Sequence, residues 1–111
     1  MPTIDSPRIA ELNRVSELFK MLGHPKRLQL LYLLIQNSMS VTEIREALDW
    51  EQSAVSHQLR LLRSHHLVHQ QRRGKTMIYK LADPLVMTFI VDAISQANAI
   101  MDVQDKQERE P

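Results

Sequence analysis

Apolar residues recur at helical spacing through the first third of the chain. From residue 8 they stand three or four positions apart, which predicts a helix over about 8–22. These positions are Ile9, Leu12, Val15, Phe19 and Leu22. Gly23 suits the end of that helix, and Pro25 suits the first turn of the next. The second predicted helix, from Pro25 to about residue 36, is apolar around most of its circumference, so we expect it at the centre of the core.

A helix-turn-helix is predicted next. Ser40 and Glu43 form a capping box, in which each side chain satisfies a free backbone N–H at the start of a helix. The third helix follows, and Ile44, Ala47 and Leu48 are expected to face inward. The stretch DWEQ (49–52) interrupts that helix, and a fourth begins near Gln52.

The pattern then changes from helical to alternating. LVHQQR and MIYKL alternate on either side of RGKT (73–76), which predicts a β-hairpin over 67–81. Asp83 suits the N-cap and Pro84 the first turn of a fifth helix. The fold class predicted is mostly α with a β-hairpin wing, in the order α-α-α-α-β-β-α, which is a winged helix-turn-helix.

The fifth helix carries a narrow apolar seam. Its members follow one another at steps of 4, 3, 4 and 3, the spacing of a coiled coil, and two alanines among them permit close approach. They are Val86, Ile90, Ala93, Ala97 and Ile100. We expect this seam to be buried against a second copy of the chain in a two-fold homodimer. Packing of the seam on the first helix of the same chain is the alternative.

The length of 111 residues is that of one domain, which we place at residues 8–103. Residues 1–7 contain two prolines and are expected to be a flexible arm, and QDKQEREP (104–111) a polar, disordered tail. The longest apolar run, LQLLYLLI, is shorter than the roughly 18 residues of a membrane span. The first residues also lack the order of a signal peptide. These features favour a cytoplasmic protein without a membrane partner.

The net charge of +1 conceals an uneven distribution. Residues 52–80 contain six basic residues and no acid, whereas the rest of the chain has eight basic residues and thirteen acids. A cationic region of this kind favours a surface that meets a polyanion, although most runs of charge are merely solvated.

The fourth helix falls within this cationic region and has two different faces. Val55, Leu59 and Leu62 occupy the inner face at helical spacing. The outer face carries hydroxyls, an imidazole and a guanidinium, at Ser53, Ser56, His57 and Arg60. Such a face suits the major groove of DNA, where serine donates to base edges or phosphates and arginine binds guanine or phosphate with two N–H groups. Gln52 and Arg63 are assigned to the same DNA surface. An ordinary amphipathic surface helix is the alternative.

The hairpin turn sets three cations around a glycine, at Arg72, Arg73 and Lys75. At the tip of a wing these side chains would reach the minor groove or flanking phosphates, which adds affinity but little sequence information.

Two segments resemble the ArsR/SmtB family of bacterial transcriptional repressors: FKMLGHPKRLQLLYLL (19–34) and SAVSHQLRLLRSHHLVHQQRRGKTMIYKL (53–81). The resemblance implies a dimeric repressor that binds an operator inverted repeat in double-stranded DNA and leaves it when an effector arrives. It implies that the first and last helices form the dimer interface, which adds Ile9 and Leu12. It also implies that the outer face of the fourth helix enters the groove and that the hairpin is the wing.

The metal ligands of the family are poorly matched. VTEIREAL (41–48) has no cysteine, and the chain has none at all. Asp83 matches the first ligand of the family's other site, but Leu85, Gln96 and Ala99 stand where the remaining ligands are expected. One carboxylate cannot hold zinc, so we predict no metal and no cofactor there. His65, His66 and His69 are weak candidates for a metal, because they span a helix end and a strand and are expected to diverge. The effector is unknown.

A non-enzymatic architectural module that binds DNA or a protein, without an operator of its own, is the alternative to a repressor. An enzyme is not expected, because the chain has no cysteine, no Gly-rich phosphate loop and no paired acids near a histidine.

Overall fold

The computed structural model describes the backbone of residues 6–109 and the side chains of residues 6–106. It contains five helices within those residues: α1 (Ile9–Leu22), α2 (Pro25–Gln36), α3 (Val41–Leu48), α4 (Gln52–Ser64) and α5 (Pro84–Arg109). Three strands accompany them: β1 (Met39–Ser40), β2 (Val68–Arg73) and β3 (Thr76–Leu81). The predicted winged helix-turn-helix is confirmed, with the short strand β1 as an addition.

The core is built around α2, as its apolar sequence predicted. Leu30 and Leu31 are completely buried, and they pack with apolar side chains from every other helix. The inner face of α4 is buried in the same cluster, at Val55, Leu59 and Leu62. Burial of such a side chain stabilises the fold by roughly 1.5–3 kcal/mol.

The capping box at the start of α3 is present. Glu43 N–H donates to Ser40 Oγ over 3.2 Å, and Ser40 N–H donates to Glu43 Oε1 over 3.0 Å. The helix ends at Asp49, whose left-handed backbone (φ 55°) turns the chain into α4. One prediction for α3 is wrong. Ile44 is buried and Leu48 half-buried, but Ala47 is exposed, because it lies at the edge of the inward face.

The three strands form one antiparallel sheet in the order β1-β3-β2. In the hairpin, Val68 pairs with Leu81 at the base and Arg73 with Thr76 at the tip. On the other side of β3, Met39 pairs with Tyr79 and Ser40 with Ile78. The wing is therefore joined to the start of α3 as well as to the end of α4.

Helix α5 begins as predicted. Leu85 N–H donates to Asp83 Oδ1 over 2.9 Å, so the aspartate caps the helix ahead of Pro84. Its far end differs from the prediction, because the helix continues through residues 104–109, which were expected to be a disordered tail. Of the predicted flexible arm, residues 1–5 lie outside the described residues, and Ser6 and Pro7 have no regular structure.

The dimer seam assigned to α5 requires one correction. Val86 and Ile90 are 8% and 2% exposed, because they pack into the core of their own chain. Ala93, Ala97 and Ile100 of the same seam are exposed. The seam therefore has a first part covered by its own chain and a second part that its own chain leaves open.

Helix α5 is also long and apolar. Its segment Pro84–Lys106 has a mean hydropathy of 1.3 over 18 residues, which satisfies the length and composition of a membrane-crossing helix. The individual apolar runs within the helix are short, so the longest run in the sequence does not reveal this property.

Candidate nucleic-acid interface

The outer face of α4 is polar and open to solvent. Ser53, His57 and Arg60 are exposed and Ser56 is half-buried. Gln52 and Arg63, at the two ends of the helix, are exposed as well. The division of α4 into an apolar inner face and a polar outer face is therefore as predicted.

The first turn of α4 has free backbone donors. Glu51 is its N-cap residue, and the side chain makes no hydrogen bond to the helix. The first N–H groups of α4 therefore receive no side-chain cap and point along the positive end of the helix dipole. A helix start of this kind accepts a phosphate, which supplies the missing acceptor.

Two contacts hold α4 and the preceding turn against α2. Arg27 of α2 donates through Nε to Gln58 Oε1 of α4 over 3.0 Å, in a half-buried position. Lys26 Nζ lies 5.9 Å from the ring centroid of Trp50, within the range of a cation–π contact. Neither pair follows from a pattern in the sequence. Arg27 and Gln58 are 31 residues apart, and no local pattern relates two positions at that distance.

The wing presents its cations on different faces. Gly74 opens the two-residue turn with φ +60°, a conformation that a hairpin of this type reserves for glycine. Since neighbouring side chains of a strand point to opposite faces, Arg72 and Arg73 project in opposite directions. Arg72 shares the face of Val68, which is buried, whereas Arg73 shares the outer face with His69. The three predicted wing cations are all exposed, but they do not form one cluster.

The positive charge of this surface is not neutralised within the chain. In the part that the structure describes, the single ion pair joins Lys20 to Glu17, both on α1. The arginines of α4 and the wing are thus available to an external anion.

The three histidines after α4 occupy different backbone settings. His65 ends α4, and its Nδ1 lies 3.0 Å from Leu61 O. His66 has a left-handed backbone (φ 59°), and His69 lies in β2 opposite Lys80. Across the side chains described, residues 6–106, no three His, Asp or Glu groups come together in a way that could hold a metal ion.

A large apolar surface lies along α1 and α5. Ile9 is 77% exposed, and Leu12 and Ile100 are each 51% exposed. Phe19 and Phe89 contact each other edge to face, with ring centroids 5.7 Å apart. Between the two helices lies an apolar groove of about 340 Å³, lined in part by Ala93 and Ala97. Phe89, Ile94 and Met101 are also exposed on α5, although they lie outside the periodic seam that the sequence shows.

The fold and the polar, cationic outer face of α4, called the reading face below, define a winged helix-turn-helix protein of the DNA-binding class. Residues 24–70 match the family described as bacterial regulatory protein, arsR family. The HTH-type transcriptional regulator NmtR of Mycobacterium tuberculosis is 40% identical over 91 residues, which are 82% of this chain and 73% of NmtR. The chain belongs to the ArsR family, and the resemblance noted in the sequence is confirmed.

Two other proteins are similar. A transcriptional repressor SmtB homolog of Synechocystis sp. is 40% identical over 77 residues, which cover 69% of this chain and 58% of the length of that relative. A homodimeric winged helix-turn-helix DNA-binding domain from Mycobacterium bovis, a possible ArsR-family transcriptional regulator, has a TM-score of 0.76 and 28% identity. That comparison covers 88% of this chain and 91% of the other.

Proposed function

We propose that this chain is a homodimeric transcriptional repressor that binds an inverted repeat in double-stranded DNA. The observation that carries the proposal is the outer face of α4, which is polar, exposed and free of acids, on a helix fixed to the core by its opposite face. In this arrangement α4 enters the major groove. Its contacts come from Gln52, Ser53, Ser56, His57, Arg60 and Arg63. Arg72, Arg73 and Lys75 of the wing contact the flanking backbone or minor groove.

The dimer is proposed to form through α1 and the open part of α5. Exposed apolar surface of this extent marks an interaction site. The similar Mycobacterium bovis domain is a homodimer. The interface would include Ile9, Leu12, Ala93, Ala97 and Ile100. The two copies of α4 (the reading helices) are then related by a two-fold axis, and they meet half-sites about one helical turn apart.

Selection of bound duplexes from a randomised pool tests this proposal. A repressor enriches an inverted repeat and prefers it over random duplex by roughly 10³ or more. Moving the half-sites apart by about half a helical turn (roughly 5 base pairs) should remove the preference, because the second reading helix then faces the wrong side of the duplex. Equal affinity for all duplexes would favour the architectural module, and no affinity at moderate salt would reject both.

The apolar length of α5 is proposed to serve the dimer and not a membrane, with the protein in the cytoplasm. Val86 and Ile90 of that helix are part of the domain core, and Phe89 contacts Phe19 of α1. Extracting α5 into a bilayer would expose this core. Recovery of the protein in the soluble fraction after ultracentrifugation of a cell lysate is the expected result, and recovery in the membrane pellet would contradict it.

We also propose that the signal is not zinc or cobalt bound at Asp83, and that no catalysis is involved. The carboxylate of Asp83 already accepts the N–H of Leu85, and Leu85, Gln96 and Ala99 supply no imidazole or carboxylate. Addition of one equivalent of zinc to the protein–DNA complex should leave it intact. Stoichiometric release would show that the metal assignment is wrong.

A further inference from the structure

A second cavity lies on the side of α1 opposite to the proposed dimer surface. It has a volume of about 470 Å³ and is enclosed by α1 and by the junction between α4 and β2. From α1 come Arg14, Leu18 and Met21, and from the junction come His65, His66 and Leu67. The volume is within the range of pockets that bind small molecules.

This cavity stays open in the proposed dimer. Successive residues of a helix are rotated by about 100°, so a residue two positions further on lies roughly 160° around the helix. Glu17 and Met21, which line the cavity, stand in this relation to Val15 and Phe19 of the exposed apolar stripe. A partner that covers the stripe therefore leaves the cavity accessible. The apolar groove between α1 and α5 differs in this respect, because the partner would fill it.

The lining combines an apolar floor with one uncompensated cation. Met21 and Leu67 are each 5% exposed and form the floor with Leu18. Glu17, the one acid in the lining, is paired with Lys20 at 3.2 Å. Among the described residues no acceptor lies within hydrogen-bonding distance of the Arg14 guanidinium. A guanidinium beside apolar surface matches a carboxylate with an apolar tail, which it binds through two parallel N–H groups.

The cavity lies between the helix that carries part of the proposed dimer surface and the proposed DNA-binding elements. One wall is α1, which carries part of the proposed dimer surface. The other wall is the chain between Ser64, the last residue of the reading helix, and Val68, the first residue of the wing. His66 within that wall has a left-handed backbone (φ 59°) and ends α4 in a Schellman cap, in which Leu67 N–H donates to Leu62 O over 2.9 Å. A ligand that separates the walls changes the angle between the dimer surface and α4, and with it the spacing of the two reading helices.

We propose that this cavity binds a small carboxylate with an apolar tail and that its occupation weakens DNA binding. The site itself stands on the geometry above, whereas its effect on DNA rests on the proposed repressor function. Because coupling between two binding sites is reciprocal, bound DNA must weaken binding of the carboxylate by the same factor.

Three probes with the same tail test the site in the absence of DNA: octanoate, octan-1-ol and octylammonium. Calorimetry should show octanoate binding at least about threefold more tightly than the alcohol, since an ion pair with an exposed guanidinium adds a factor of that order. Octylammonium should bind most weakly. Octanoate should also shift the imidazole NMR signals of His65 and His66. Equal affinity for all three probes, or shifts confined to Phe19 and Phe89, would place binding in the α1–α5 groove and overturn the proposal.

Arg14→Gln provides the decisive variant. Arg14 is exposed, so its loss leaves the core intact, and circular dichroism checks this. The variant should lose the preference for octanoate over octan-1-ol, whereas Arg8→Gln, which removes the same charge outside the cavity, should keep it. An unchanged preference in Arg14→Gln would refute the site.

The effect on DNA is measured separately. Saturating octanoate should reduce the affinity of the wild-type protein for a selected inverted repeat about fivefold or more, and that of Arg14→Gln not at all. Binding of octanoate without any change in DNA affinity would overturn the regulatory part. If the protein binds no duplex, the repressor function fails, while the calorimetry still decides whether the site exists.

Discussion

Arg27 of α2 joins three helices through one guanidinium. Its Nε donates to Gln58 Oε1 of α4 over 3.0 Å, and its Nη1 lies 3.6 Å from Met21 Sδ of α1. The contact is half-buried, and it sets α4 relative to α2 on the side away from the reading face. We therefore expect it to matter for both the stability of the fold and the orientation of α4.

Gln58→Ala should lower the free energy of unfolding by about 1–2 kcal/mol, because it removes the acceptor of a charged donor. Chemical denaturation measures this change. Gln29→Ala, an exposed glutamine of α2, is the matched control and should change stability by less than about 0.5 kcal/mol. A double-mutant cycle with Arg27→Ala should give a coupling energy of at least about 0.5 kcal/mol, and full additivity would show that the contact contributes nothing.

Arg60 and Arg73 are expected to affect DNA binding in different ways. Arg60 lies on the outer face of α4, so Arg60→Ala should reduce discrimination between cognate and random duplex by about 1–3 kcal/mol. Arg73 lies near the wing tip, so Arg73→Ala should weaken all duplexes alike and reduce the salt slope by about 1. Fluorescence of Trp50, the one tryptophan of the chain and a residue of the turn before α4, offers a readout. Identical effects of the two substitutions would contradict this division.

The turn of the wing depends on the backbone freedom of Gly74 alone. A Cβ at this position would meet no atom within 4 Å, so the cost of a substitution comes from its φ of +60°. Gly74→Val should destabilise the hairpin by about 1–2 kcal/mol, whereas Gly74→Asn should cost less, because asparagine enters the left-handed region more easily. Amide hydrogen exchange in β2 and β3 measures the difference. Equal protection of the β2 and β3 amides in the two variants would show that the left-handed backbone at residue 74 does not determine the cost of the substitution.

A charge on the exposed part of α5 should separate the two subunits. Ala93 lines the apolar groove between α1 and α5, and Ala93→Glu would bury a carboxylate without a partner in the proposed interface. Sedimentation should then show a monomer that keeps its helical circular dichroism. Ser95→Glu is the control, since Ser95 is exposed on a different face of the helix and this variant should stay dimeric. If the Ala93→Glu variant remained a dimer, the subunit interface would not lie on α1 and α5.

The helices could be predicted well because their caps and their apolar spacing involve residues that are close together in the sequence. The capping box at Ser40, the cap at Asp83 and the spacing along α1 each involve residues within one or two turns. Strand β1 could not be predicted in the same way, because two residues show no alternation and their partner, β3, is almost forty positions away. The exposure of Ala47 shows a related limit, since a small residue at the edge of a helix face carries little hydrophobic signal.

The seam on α5 shows what a periodic pattern leaves open. The spacing from Val86 to Ile100 predicted a stripe that must be covered, and both possible covers were considered. The structure buries Val86 and Ile90 in the core of their own chain, whereas Ala93, Ala97 and Ile100 are open, and their cover stays a prediction. The polar outer face of α4 was predictable because the helical spacing of its apolar residues fixes which side chains point inward and which reach solvent.

Ser40 belongs to two structural units at once. It is the last residue of β1, paired with Ile78 of the wing, and it is also the N-cap of α3. A slip of the sheet by one residue would therefore pull the cap away from Glu43, and loss of the cap would loosen the pairing of β1 with the middle of β3. We therefore expect the wing and the helix-turn-helix to lose their structure together on heating or after a destabilising substitution at Ser40.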